Sequence, residues 1–214
     1  MLSVEIAMKL YDKHILPNLV HMACSLRPAM RQREKIVHLA HGTVLEVGIG
    51  SGLNFPYYDA DKVSKLWGLD PSPEMIRMAE TRVRSAGFEV EFINLPGEQI
   101  PLQDRCVDTV VVTYTLCTIP DVCRALQEMA RVLKHDGELV FCEHGVAPDT
   151  TVHRWQNILN PVWKCIGGGC HLNRDIPELI ERGGFRIREM QAMFIPGWRP
   201  ASYNYWGTAT LKSQ

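Results

Sequence analysis

The chain has no surplus of either charge: 23 lysines and arginines stand against 24 aspartates and glutamates, a formal net charge of −1. A sequence-independent grip on nucleic acid or on an anionic membrane needs a basic excess, so neither partner is expected. Paired cysteines are missing as well. Cys24, Cys106, Cys117, Cys123, Cys142, Cys165 and Cys170 form an odd set without a CxxC. That argues against a secreted disulfide framework and for a reducing, cytoplasmic compartment. Nor is there a long apolar run. The most hydrophobic early window, Ile6 to Leu26, is interrupted by Lys9, Asp12, Lys13, His14, Pro17 and His21, whereas a spanning helix needs about 20 largely apolar residues. No basic segment leads into an apolar run with a cleavage site, and no repeats or low-complexity tracts occur. At 214 residues, one domain is expected.

What is present alternates between two periodicities. Ile6, Leu10, Ile15, Leu19 and Met22 mark one or two amphipathic helices packed on their own domain, and Arg31 to Ala40 marks a short helix. We read residues 1–40 as a helical cap and 41–214 as the main body. Strands are expected at Thr43 to Val47, Leu66 to Leu69, Val90 to Ile93, Val107 to Val112 and Glu138 to Cys142. Val107-Asp108-Thr109-Val110-Val111-Val112 is nearly continuous β-branched sequence, as suits a strand covered on both faces. A helix should follow the first strand. Others are expected from Pro73, capped by Ser72, from Val122 to Leu133, ended by His135-Asp136-Gly137, and from Pro177 to Arg182. Phe185 to Met190 and Tyr203 to Leu211 close the chain as two strands with no full helix between them. This order predicts an α/β fold: a mostly parallel sheet, helices on both faces, and an antiparallel last strand.

The chemistry-bearing residues cluster where strands end. Glu46-Val47-Gly48-Ile49-Gly50-Ser51-Gly52 follows the first strand. Its three glycines allow tight turning and close approach of a ligand to backbone N–H groups, although a plain turn uses glycine in the same way. The spacing is GxGxG, neither the dinucleotide fingerprint nor the phosphate loop. Asp70 ends the second strand, where a carboxylate suits a ribose diol at the sheet's carboxyl edge or caps the helix after Pro71. Gly97 and Glu98, after the third strand, offer backbone and carboxylate to an adenine-like edge, or form a solvated turn.

Val44-Leu45-Glu46-Val47-Gly48-Ile49-Gly50-Ser51-Gly52, Gly68-Leu69-Asp70-Pro71-Ser72, Asp108-Thr109-Val110-Val111-Val112 and Arg131-Val132-Leu133-Lys134-His135-Asp136-Gly137 together resemble the class I S-adenosylmethionine-dependent methyltransferases. The resemblance implies a three-layer Rossmann-like sandwich around a seven-stranded sheet. It also implies S-adenosylmethionine as methyl donor and S-adenosylhomocysteine as product. On this sequence, Glu46 with Gly48, Gly50 and Gly52 would hold the amino-acid end of the cofactor. Asp70 and Pro71 would hold the ribose, Gly97 and Glu98 the adenine, and Thr113 and Tyr114 would face the methyl group. A narrower similarity, to the methyltransferase-like thiol methyltransferases and their bacterial relatives, runs through Thr115-Leu116-Cys117-Thr118-Ile119-Pro120-Asp121, Cys142-Glu143-His144-Gly145, Trp155-Gln156, Asn160-Pro161-Val162-Trp163 and Gly169-Cys170-His171-Leu172-Asn173-Arg174. Animal members of that group begin with a membrane-anchoring segment not matched here, so no stable membrane insertion is expected.

The expected acceptor is a small, largely apolar molecule, a thiol by preference, with a quinol, phenol or phospholipid amine as alternatives. An NAD(P)-dependent oxidoreductase and a non-catalytic cofactor-binding module are the readings from other classes. His144 is the base candidate, and Tyr114 orients the acceptor or lines its pocket. Cys117 lies on the acceptor side but, with no neighbouring base in sequence, is not expected to act as a nucleophile. Trp155, with Trp163, Met193 and Trp198, suits an apolar pocket, while His171 and Arg174 fall in a segment that caps the site. No metal site is expected: Cys165-Ile166-Gly167-Gly168-Gly169-Cys170-His171 does not have a usual closed zinc spacing, and its glycines suit a bending lid.

Overall fold

The computed structural model describes residues 10–83 and 86–212. Seven strands form one sheet: β1 (Gly42–Val47), β2 (Val63–Leu69), β3 (Glu89–Ile93), β4 (Val107–Thr113), β5 (Leu133–His144), β6 (Phe185–Phe194) and β7 (Tyr203–Leu211). Their spatial order is β3-β2-β1-β4-β5-β7-β6. The pairs from β3 to β5 are parallel, and β7 runs antiparallel to both its neighbours. The expected mostly parallel sheet with an antiparallel last strand is thus observed. The order reverses at β1 and β4, so the loops after these two strands diverge and leave a crevice at their carboxyl ends.

Local chemistry accounts for most elements. β4 is covered on both sides, and Val110, Val111 and Val112 are fully buried, which is where β-branched side chains fit best. Helix α3 (Pro73–Glu80) starts at Ser72, whose side chain accepts the Met75 N–H at 3.2 Å. Helix α4 (Val122–Val132) starts at Asp121, which accepts the Arg124 N–H. Its stripe of Val122, Ala125, Leu126 and Met129 packs into the core beside β4.

Four features depart from the sequence reading. The Gly48–Gly52 loop does not lead into an α-helix; it enters a 3-10 turn, Phe55–Tyr57. Helix α4 ends at Val132 rather than Leu133, and Lys134 to Gly137 extend β5 instead of forming a turn. Lys134 is fixed there by Asp108 at 2.6 Å, whose other oxygen accepts the Thr43 N–H. A 17-residue helix, α5 (Thr150–Ile166), lies in a stretch to which the sequence reading assigns no element, only the pocket candidates Trp155 and Trp163. Pro161 masks it in the sequence, and its anchor is polar: fully buried Gln156 accepts the Ala147 N–H and lies 2.9 Å from the Gly145, Leu172 and Pro200 carbonyls. The fourth departure is at the N-terminal end. Helices α1 (Leu16–Cys24) and α2 (Arg27–Glu34) form, but Leu10, Ile15, Leu19 and Met22 are exposed rather than packed inward. Ile6 lies outside the described residues. Helix α6 (Ile176–Arg182) matches its expected place.

Candidate functional site

The loop after β1 is built on left-handed backbone. Gly48, Gly50 and Gly52 have φ of +73°, +55° and +75°, a region that costs other residues about 1–2 kcal/mol. Gly48 is doubly constrained, since a Cβ there would lie 2.2 Å from Thr115 Oγ1. The loop is tied to β2 through N–H bonds from Gly48 and Ile49 to the Leu69 carbonyl. Asp70 completes the link, accepting the Gly50 N–H at 2.9 Å and the Ser72 N–H at 2.8 Å. Its side chain is largely buried, and burial raises its pKa above the usual carboxylate value.

These groups open onto a cavity of about 280 Å³. Of the residues singled out in the sequence, Gly48, Gly50, Asp70, Pro71, Gly97, Glu98, Thr113 and Tyr114 line it. Gly52 supports the loop from behind, where a Cβ would meet the Phe55 ring at 2.5 Å. Glu98 Oε1 accepts the Asp121 N–H, and its Oε2 is buried without a partner.

Glu46 lies one layer behind the cavity. Its Oε1 accepts the Asn54 amide at 2.9 Å and its Oε2 the Tyr58 hydroxyl at 2.7 Å, and burial pushes its carboxyl up to about 7. Asn54 also donates to Thr113 Oγ1, and Arg33 Nη1 donates to both Asn54 Oδ1 and Thr113 Oγ1. Arg33 reaches the cavity from α2, its guanidinium 5.0 Å from the Tyr114 ring centre, and its buried Nε has no partner. Sequence reasoning missed Arg33, Asn54 and Tyr58. Asn54 follows the glycine loop directly, but Arg33 lies 80 positions from Thr113, and no local pattern marks it.

Chain from the N-terminal helix and from the turn after α5 borders the cavity. Leu16, Pro17 and His21 of α1 meet Gly167 and Gly168 across it. His21 Nδ1 lies 2.7 Å from Ser51 Oγ, and the Tyr11 hydroxyl donates to the Ile166 carbonyl. Gly168, at φ +60°, sits so close to Leu16 that a Cβ would approach its Cδ2 to 2.7 Å.

Apart from Tyr114, the remaining sequence candidates do not line this cavity. Tyr114, itself left-handed at φ +55°, donates its hydroxyl to Asn204 Oδ1 at 2.6 Å. His144 and Cys117 are buried behind the wall, and His144 Nε2 lies 3.2 Å from Cys170 Sγ. Burial alone would lower the His144 imidazole, but the Cys117 thiol offsets this and holds it above its ordinary value. The adjacent Glu143 accepts the Thr115 and Leu116 N–H groups, and burial pushes it up to about 7. Arg174 donates to the Leu116 carbonyl rather than to Asp175, which caps α6. His171 is pulled down to about 4 by burial and by Arg174. Trp155 is 54% exposed on the outer face of α5, while Trp163 and Trp198 stack at 5.1 Å.

Comparison with known proteins places the chain among methyltransferases. A methyltransferase-domain family model matches residues 45–141. The human thiol S-methyltransferase TMT1B is 33% identical over 171 residues, covering 78% of this chain and 69% of its own length. The phosphatidylethanolamine N-methyltransferase of Cereibacter sphaeroides is 36% identical over 110 residues, covering 50% of this chain and 53% of its own. The chain spans between 65% and 69% of the thiol S-methyltransferase relatives of rat and human. Among solved structures, a SAM-dependent methyltransferase from Thermotoga maritima superposes with a TM-score of 0.64 at 23% identity, covering 94% of this chain and 99% of that one. Among the described residues, no helix is long and apolar enough to cross a membrane.

Proposed function

We propose that this chain, which belongs to the class I S-adenosylmethionine-dependent methyltransferases, methylates a small, largely apolar acceptor, a thiol by preference, and releases S-adenosylhomocysteine. One observation carries the reading. Asp70 is fastened to the Gly50 and Ser72 N–H groups inside a cavity that Glu98 and Arg33 also line. A carboxylate on the wall suits the amino edge of an adenine, and a guanidinium suits a carboxylate, so the residues present fit the cofactor.

When bound, S-adenosylmethionine supplies a methyl carbon on a sulfonium, which leaves the protein to align the partners and exclude water. Asp70, with one backbone N–H on each oxygen, keeps lone pairs for two ribose hydroxyls. Arg33 puts positive charge at the amino-acid end, and Asn54 and Thr113 fix its Nη1. Glu46 is a positioning residue: it holds Asn54 and Tyr58. Leu16 and Gly168 approach each other at the cavity rim and would narrow solvent access to a bound cofactor.

A thiol asks least of such a site, since its pKa of about 8.5 lets it react as thiolate once oriented. The relatives named for thiol methylation are matched over more of this chain than the one named for a phospholipid amine, 76–78% against 50%. With seven cysteines and no disulfide, work in a reducing, cytoplasmic compartment completes the reading. The test is turnover of labelled S-adenosylmethionine on a panel of thiols, phenols, quinols and amines. Preferential S-methylation supports the thiol assignment, and turnover confined to amines or ring carbons rejects it. S-adenosylhomocysteine should raise the thermal transition, and a flat response would reject the cofactor assignment.

A further inference from the structure

Behind the cavity wall, three elements deliver sulfur and nitrogen to one point. Cys117 comes from the loop after β4, His144 ends β5, and Cys170 lies in the turn after α5. The two Sγ atoms and an imidazole nitrogen all lie within 4.8 Å of one another, and His144 Nε2 faces Cys170 Sγ at 3.2 Å. Cys117 and His144 are 3% and 8% exposed, while Cys170 is half-buried and leaves a route of entry.

Backbone bonds hold this convergence. The His171 N–H donates to the Cys117 carbonyl at 2.8 Å, which staples the two cysteine segments together. Gly169 and Cys170 donate back to Lys164 and Gly167, and His144 is held in register opposite Asn204 of β7. Thiols are weak hydrogen-bonding groups, so two of them and an imidazole gain little from one another at such a buried point. As ligands they are well matched. Thiolate and imidazole together select zinc-class cations. A tetrahedral zinc at ordinary bond lengths separates its ligand atoms by roughly 3.6–3.8 Å. The 3.2 Å contact and the 4.8 Å limit bracket that span, so small side-chain rotations suffice.

We propose that Cys117, His144 and Cys170 bind a thiophilic divalent cation of the zinc class, with its fourth position beside the Thr118 hydroxyl. Thr118 Oγ1 lies 3.4 Å from Cys117 Sγ, and the same residue lines the main cavity. Binding converts two thiols to thiolates and releases two protons to solvent. The site stands independently of which acceptor the protein methylates. Three protein ligands with one open position is the arrangement of a catalytic or exchangeable zinc rather than a closed structural one.

The test uses the full chain, reduced and stripped by a chelator, with its thiols counted. Titration with Co²⁺ should give thiolate-to-cobalt charge-transfer bands and tetrahedral visible bands that saturate at one equivalent and disappear on adding Zn²⁺. In chelator competition, Cys117→Ser and Cys170→Ser should each weaken Zn²⁺ binding by about 100-fold or more, whereas Cys165→Ser, on the exposed end of α5, should not. Absence of the charge-transfer bands from fully reduced wild-type protein would overturn the proposal without recourse to any variant. So would equal loss of affinity in Cys165→Ser, or a Cys117–Cys170 disulfide that forms readily in a protein that takes up no metal.

Discussion

Replacing Asp70 by asparagine separates the two jobs assigned to its carboxylate. Each oxygen now accepts one backbone N–H, from Ser72 at 2.8 Å and from Gly50 at 2.9 Å. An amide offers one acceptor and one donor, so one of these N–H groups would face an NH₂. A buried donor left without a partner costs about 1–3 kcal/mol, and the unliganded protein should lose about that much stability. On the ligand side, two charge-assisted bonds to ribose hydroxyls become at most one neutral bond. Bonds to charged groups contribute about 1.5–3 kcal/mol and neutral ones about 0.5–1.5, which makes the loss about 2–4 kcal/mol. The dissociation constant for S-adenosylhomocysteine should therefore rise about 30- to 700-fold, read by isothermal titration alongside thermal melts. Asp61→Asn, on an exposed turn, should change neither quantity. An Asp70→Asn protein that binds within threefold of wild type would refute the assignment of Asp70 to the sugar.

Glu46 gives a prediction in pH. Burial raises its folded pKa from 4.5 to about 7, so its favourable contribution is complete below the unfolded pKa of 4.5 and is lost as pH rises to 7. The span corresponds to about 3 kcal/mol. Glu46→Gln, which keeps the shape and removes the charge, should flatten the fall in denaturant-measured stability between pH 5 and 8, and an unchanged slope would count against the buried-carboxylate account. Glu143, also raised to about 7, should retain its share of that slope in the variant. Gly48→Ala forces alanine to φ +73° and drives a methyl into Thr115. The expected loss is about 2–4 kcal/mol, and a drop in the folding free energy of less than about 1 kcal/mol would show that the loop yields more readily than its geometry implies.

The sequence alone determined whatever depends on neighbours along the chain. The β-branched run at Val107 to Val112, the cap at Ser72 and the glycines after β1 act over a few residues, so their roles are readable from spacing and composition. Asp70 belongs here too, because a residue ending one parallel strand is carried to the loop ending the next. Helix α5 was not legible: Pro161 interrupts its pattern, and its one buried residue, Gln156, is polar. An apolar periodicity has nothing to report when a helix docks by hydrogen bonds.

Only the tertiary structure decided what surrounds the candidate site. Arg33 meets Thr113 and Asn54 because α2 carries it to the end of β4 and the loop that follows β1. Cys117, His144 and Cys170 converge because β5 lies beside β4 and the turn after α5 folds back on the Cys117 carbonyl. The local run from Cys165 to His171 points elsewhere, since Cys165 is exposed on α5 and His171 contributes its backbone rather than its ring. Sequence spacing records distance along a chain. The chemistry of this protein depends on distance through space, and burial strengthens a contact across 80 positions as readily as one across two.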